Sequence, residues 1–135
     1  MDDIEISSDK SKLDLDFTYR YLTRSYWSPG ITKERVEKGI NNSLCFGIYK
    51  NNCQIGFARV ITDFSRIAYL ADVFIIEGES GKGYGKRLLK HIIETENLDV
   101  DKWMLGTKDA HALYEKFGFS KLKEPWRMME KRNKY

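Results

Sequence analysis

Gly78-Glu79-Ser80-Gly81-Lys82-Gly83-Tyr84-Gly85-Lys86-Arg87-Leu88-Leu89 is the stretch whose reading decides the fold. An apolar run, Ala68-Tyr69-Leu70-Ala71-Asp72-Val73-Phe74-Ile75-Ile76, precedes it and reads as a buried strand. After it, Tyr84, Leu88, Leu89, Ile92 and Ile93 recur at helical spacing, so a helix over about 84–96 is expected. A strand, a glycine turn and a helix in that order point free backbone N–H groups at an anion. Glycines 81, 83 and 85 carry no Cβ to hold a ligand off, and the helix adds the positive end of its dipole. A phosphate or pyrophosphate is the natural guest.

Two nucleotide motifs can be tested on these residues. Counting back from Gly85-Lys86, the first glycine of a phosphate-binding Walker loop falls on Ser80, and Arg87 stands in the hydroxyl position. The dinucleotide fingerprint fails as well, because its third glycine arrives one residue early and Lys86 fills the place. A phosphate-bearing ligand of another class is expected.

Working outward, residues 3–6 read as a short edge strand. Leu13, Phe17 and Tyr21 set a helix over about 13–24, and Thr32 caps a second helix carrying Val36 and Ile40. Between them lies an aromatic turn, Ser25-Tyr26-Trp27-Ser28-Pro29-Gly30. Leu44–Tyr49 alternates, Lys50-Asn51-Asn52 turns, and a strand from about Gln54 to Thr62 leads through Asp63–Arg66 into the apolar strand. That makes an antiparallel meander. Downstream, a strand centres on Trp103-Met104-Leu105, and Asp109 is expected to cap a helix over 110–117 that Gly118 ends. Phe119–Leu122 and Trp126–Met129 are expected as two short strands around Pro125. The fold class is α+β, a mixed and mostly antiparallel sheet flanked by helices.

The 135 residues suit a single domain over 1–135, and 41% apolar with 13% aromatic residues excludes a disordered chain. A net charge of +3 does not by itself argue for nucleic acid. Charge is nonetheless uneven. Residues 1–16 hold six acids against two lysines, and residues 121–135 hold six bases against two glutamates. This reads as solvated surface, so a nucleic-acid partner is not expected. Cys45 and Cys53 lack metal-ligand spacing and read as reduced core thiols. No apolar stretch approaches the ~20 residues that span a bilayer. With a charged N-terminus, the expectation is a cytoplasmic protein without membrane contact.

The stretch Ala71–Leu89, together with Asp109-Ala110-His111-Ala112-Leu113-Tyr114-Glu115-Lys116-Phe117-Gly118-Phe119, resembles the GNAT superfamily of acetyl-CoA-dependent N-acetyltransferases. Order, separation and element pattern all match, over roughly residues 43–130. The resemblance implies acetyl-CoA as cofactor and a sheet splayed at the cofactor-binding strand. It implies main-chain contacts from Val73, Phe74 and Ile75 to pantetheine, with the amide of Val73 or a neighbour as oxyanion donor. Ser80, Gly81, Lys82, Gly83, Tyr84, Gly85 and Lys86 would receive the diphosphate, and Asp109, Ala112 and Lys116 would face the cofactor from the second motif. Two positions depart from the family: Ser80 stands where Arg or Gln is usual, and Asp109 where Asn is usual.

By the same resemblance Tyr114 is the acid that protonates the departing thiolate. Asp72 is either the base that drains the amine's proton or a structural carboxylate with a buried partner, the second being favoured. His111 falls off the inward stripe and is expected to be exposed. Tyr21, Tyr26, Trp27 and Trp126 are the candidates for lining an acceptor pocket, since aromatic faces suit an apolar or cationic amine. The expected reaction is acetyl transfer to a primary amine of a small molecule or peptide. The alternatives are a non-catalytic module that binds coenzyme A derivatives, and an acetyltransferase acting on an RNA-bound amine. Oligomeric state is open, a homodimer being the common arrangement of small enzymes.

Overall fold

The computed structural model describes residues 2–133. Lys134, counted above with the C-terminal bases, lies outside the described residues. Five strands form one sheet in the order β1 (Ile4–Ser7), β2 (Leu44–Lys50), β3 (Cys53–Thr62), β4 (Ile67–Ile75), β5 (Lys102–Leu105). Neighbours are antiparallel except β4 and β5, which run parallel because α3 (Tyr84–Ile93) forms the crossover between them. The mixed α+β sheet expected from the sequence is present.

Local chemistry sets the helix starts. Asp14 accepts from the Phe17 N–H at 3.0 Å and opens α1 (Leu15–Leu22). Thr32 accepts from the Arg35 N–H at 3.2 Å and opens α2 (Lys33–Asn41). The β2–β3 turn places Asn51 and Asn52 at φ +50° and +68°, the left-handed geometry asparagine tolerates. Cys45 is buried on β2 and its thiol is pushed up to about 11 by that burial. Cys53 is exposed at the start of β3, so only one of the two cysteines is a core thiol.

Two apolar clusters sandwich the sheet. Leu88, Leu89 and Ile92 of α3 pack with Phe46, Ile48, Ala58, Val60, Ala68 and Leu70. Leu22, Val36 and Ile40 of α1 and α2 pack with Cys45, Phe57 and Phe74. Leu88 is fully buried, so Leu88→Ala is expected to lower unfolding free energy by roughly 2–5 kcal/mol in denaturant titration.

Two expectations are corrected at the C-terminal end. Phe119–Leu122 and Trp126–Met129 form no strands; Pro125–Arg127 is a single 3-10 turn with chain on either side outside any ladder. A proline at the first position of a turn fixes φ and removes an amide that a strand would need. The second correction is the cap of α4 (His111–Glu115). Asp109 does not cap it; the helix starts later, and Thr107 Oγ1 accepts the Ala110 N–H at 3.1 Å. Gly118, at φ +92°, takes the left-handed position after the helix as expected.

Candidate functional site

β4 and β5 pair only from Ile67↔Lys102 to Leu70↔Leu105. Beyond Leu70 the two strands have no ladder in common, so the β5-facing edge of Ala71–Ile75 is open. The same segment carries a bulge. Between the pairs Arg59↔Ala71 and Phe57↔Phe74, β3 advances through Ala58 alone, whereas β4 advances through Asp72 and Val73. Asp72 sits at φ +55°.

The glycine turn follows. Glu77–Glu79 makes a 3-10 turn, and the Ser80 hydroxyl donates back to the Glu77 carbonyl at 2.8 Å. Gly81 and Gly83 have φ of +77° and +86°, with open space where a Cβ would stand. Gly83 is the N-cap of α3, and among the described residues no side chain caps it. The first amide to find a partner within the helix is that of Arg87, which donates to the Gly83 carbonyl at 3.1 Å. The N–H groups of Tyr84, Gly85 and Lys86 are thus the orphan donors of a helix start. The Tyr84 ring is buried in the core, so only its main chain is available to a ligand.

Two cations meet near the start of α3: Lys86, in its first turn, and Lys116. The Lys86 ammonium lies near enough to Lys116 to push its pKa below the usual lysine value, a repulsion an anion between them would relieve. Lys82 is engaged elsewhere, bonding Glu79 at 3.1 Å, and Glu79 also takes Lys50 at 2.7 Å.

Tyr114 lies on α4, half-buried against the α3-side cluster and edge-on to Phe119 at 5.9 Å. Burial raises its phenol above the ordinary tyrosine value, and the neighbouring Tyr26 adds to the rise. It lines a cleft of about 530 Å³ with Trp103, Leu105, Gly106, Thr107 and His111. His111 is exposed, as expected, and so are Ala112 and Asp109.

On the other side of the open edge the aromatic turn closes over β4. Tyr21 stacks on Phe74 at 3.8 Å and 5°. The Trp27 Nε1–H donates to Asp72 Oδ1 at 2.9 Å, and Tyr26 meets Trp27 edge-on at 5.1 Å. The Lys108 amide donates to the Tyr26 hydroxyl at 3.3 Å, and its ammonium lies 5.5 Å over the Tyr26 ring. Tyr26 therefore ties the aromatic turn to the loop after β5. Trp126 is not part of this cluster: its ring is 75% exposed on the Pro125–Arg127 turn.

Asp72 is fully engaged. Arg59 Nε donates to its Oδ2 at 2.9 Å, and Arg59 Nη1 donates to Ser43 Oγ at 3.1 Å. The Asp72 and Arg59 side chains are 13% and 22% exposed. Left-handed backbone in an L-residue costs roughly 1–2 kcal/mol, least for Asp and Asn. Hydrogen bonds to a charged group contribute about 1.5–3 kcal/mol each, enough to hold the bulge.

Arg59, Lys108 and Thr107 were not expected at the site. One signal for Arg59 was available, a single charge inside the apolar run Gly56-Phe57-Ala58-Arg59-Val60-Ile61. Lys108 and Thr107 lie in a loop whose reach over Tyr26 no local pattern encodes.

The family model of the "Acetyltransferase (GNAT) family" matches residues 11–119. A crystal structure of a "putative acetyltransferase belonging to the gnat family" from Xanthomonas campestris pv. campestris superposes with a TM-score of 0.94 at 36% identity, covering 96% of this chain and 93% of that one. A "predicted acetyltransferase" from Clostridium acetobutylicum, solved with acetyl-CoA, has a TM-score of 0.71 at 20% identity, covering 98% and 96%. The curated "Putative acetyltransferase FG08082" of Gibberella zeae is 25% identical over 112 residues, 68% of this chain and 63% of that protein. The chain thus spans less than two thirds of the length of that relative.

Proposed function

Because the chain belongs to the GNAT acetyltransferase family, we propose that it moves the acetyl group of acetyl-CoA to a primary amine of a small molecule or peptide by direct attack. One observation carries this reading. The orphan amides at the start of α3, with Lys86 in its first turn and Lys116 near that lysine, follow the open edge of β4, and Tyr114 packs against the same apolar cluster as Val73 and Ile75 of that edge. The acetyl-CoA held by the Clostridium acetobutylicum protein of the same fold supports it.

The residues fit that ligand. The N–H groups of Tyr84, Gly85 and Lys86 suit a diphosphate, with Gly81 and Gly83 leaving room and the two lysines balancing its charge. Val73 and Ile75 offer main-chain groups along the open edge; the Phe74 peptide faces β3, as does that of Ile76, whose N–H donates to the Ile55 carbonyl at 2.9 Å, and the Phe74 ring is buried. Acetyl-CoA supplies the activated thioester. The Val73 amide is the candidate donor to the carbonyl oxygen as charge develops there. Tyr114 gives its proton to the departing sulfur, and the proton shed by the acylated nitrogen restores the phenol, so charge and protons balance. Tyr21, Tyr26 and Trp27 flank the approach of the amine. Acetyl-CoA is an intracellular metabolite, which is the basis for placing the protein in the cytoplasm; among the described residues no helix is long and apolar enough to cross a membrane.

The test is thiol release from acetyl-CoA in the presence of tyramine, an aliphatic diamine or a lysyl peptide, with calorimetry alongside. Release that needs both protein and amine is expected. Binding without release would favour the non-catalytic module, and no binding at millimolar acetyl-CoA would end the reading. Retention on RNA that weakens steeply with salt would instead favour an RNA-bound acceptor.

A further inference from the structure

We propose that Asp72 is a positioning residue: gripped by Arg59 and Trp27, it holds the β4 bulge that aims the Val73 peptide into the open edge of the sheet. The kinetic consequence rests on the acetyltransferase reading; the structural one rests on geometry alone.

Side chains alternate along a strand, so a regular β4 would send residue 72 to the same side as Leu70. That side is the α3 cluster, where Leu70 and Val73 pack and no cation is found among the cluster's members. The extra residue of the bulge and the positive φ of Asp72 deliver the carboxylate to the opposite face instead. Arg59 shares that face with Phe57, two residues before it on β3. The Trp27 indole reaches the same carboxylate from the aromatic turn.

The grip is itself held. Ser43 takes the far end of the guanidinium, and α2 passes so close at Gly39 that a Cβ there would stand 3.4 Å from Arg59 Nη1. Arg59 therefore has a helix at its back and a fixed partner in front. Each Asp72 oxygen receives an N–H, one from each side. Protonating this carboxylate would weaken both bonds, because each is strengthened by its charge. Holding the bulge is the role that uses both of them. The same three residues join the turn that flanks the acceptor to the strand that faces the thioester, so both halves of the site keep one register.

Three substitutions separate positioning from proton transfer. Asp72→Asn keeps an acceptor oxygen and, glycine aside, a residue tolerant of positive φ. Asp72→Gly keeps the backbone freedom and loses both bonds. Asp72→Ala loses both bonds and strains the backbone. With the fastest amine of the panel, kcat should fall in the order Asn, Gly, Ala. Asn should stay within about fivefold of wild type and Ala drop roughly 30- to 100-fold, as misplacement of a reacting group by about 1 Å would do. The KM for acetyl-CoA should move less than about threefold, because the helix start that would hold the phosphates is untouched. Equal loss in all three variants would make Asp72 the proton acceptor, and an Ala variant as fast as wild type would remove it altogether. Either result overturns the proposal.

Trp27→Phe covers an Asp72→Ala protein that does not fold. It removes one donor while keeping a ring, and should lower kcat roughly three- to tenfold at saturating amine; wild-type kcat there overturns the grip. If the wild-type chain releases no thiol with any amine, the functional reading fails separately. The grip is then read by hydrogen exchange of the Trp27 indole N–H, slow in wild type and fast in Asp72→Gly and Asp72→Ala. A fast-exchanging indole in wild type overturns it.

Discussion

Tyr114→Phe is expected to lower kcat by about 100-fold or more while leaving the acetyl-CoA dissociation constant within about twofold, since a positioned general acid contributes roughly 10²–10⁴-fold. The substitution removes one hydroxyl from a ring that packs against Phe119 and the α3-side cluster, so the fold loses no apolar contact. Burial acts on the phenol in a definite direction: its neutral form is favoured, and its pKa is raised. The proton is therefore in place at neutral pH and is lost only as pH climbs past the ordinary tyrosine value of ~10. A sulfur leaving beside that half-buried phenol would be destabilised as an anion by the same burial, so the proton gap between the two groups would stay small. Thiol release in wild type should rise from neutral pH as more of the amine acceptor is uncharged, and fall only at strongly alkaline pH. The Phe variant should be slow at every pH and lack that alkaline limb. A Phe variant as fast as wild type would take Tyr114 out of the reaction.

What the sequence made legible was whatever is encoded locally. The run from Ala68 to Leu89 announces strand, turn and helix through apolar spacing and glycines, and the structure has all three. Thr32 and the Asn51-Asn52 turn read correctly for the same reason, since each depends on a few adjacent residues. Register is a different kind of information. Alternation read along β4 alone puts Asp72 with Leu70, and nothing near Asp72 in the chain reveals the bulge or a partner at Arg59 on the neighbouring strand. A lone arginine in an apolar strand and a lone aspartate in the next one were the available hint that the two meet. The tail failed for a related reason. Phe119–Leu122 and Trp126–Met129 have strand-like spacing, but a strand needs a ladder, and these segments join none. Asp109 failed by a shift of position. The helix begins at His111, and Thr107 already satisfies the free amide of Ala110.

Gly83→Val should weaken acetyl-CoA binding by roughly 100-fold in calorimetry, a larger effect than any single lysine at the site should have. Two costs combine. A β-branched side chain at φ +86° occupies backbone that L-residues avoid, which would pull the N-cap of α3 toward a different geometry. The new Cβ would also fill the open space beside the orphan amides of Tyr84, Gly85 and Lys86, where a phosphate must come within hydrogen-bonding distance. Losing one or two amide-to-anion bonds, at about 1.5–3 kcal/mol each, corresponds to about 3 kcal/mol, or two factors of ten. Lys116→Ala makes the contrast: its charge is exposed, repelled by Lys86, and screened by salt, so its loss should cost less than about tenfold and shrink further at high ionic strength. If the two substitutions weakened binding equally, and both effects vanished in salt, charge rather than the helix start would be what holds the ligand. Unchanged binding in Gly83→Val would mean that the phosphates settle elsewhere.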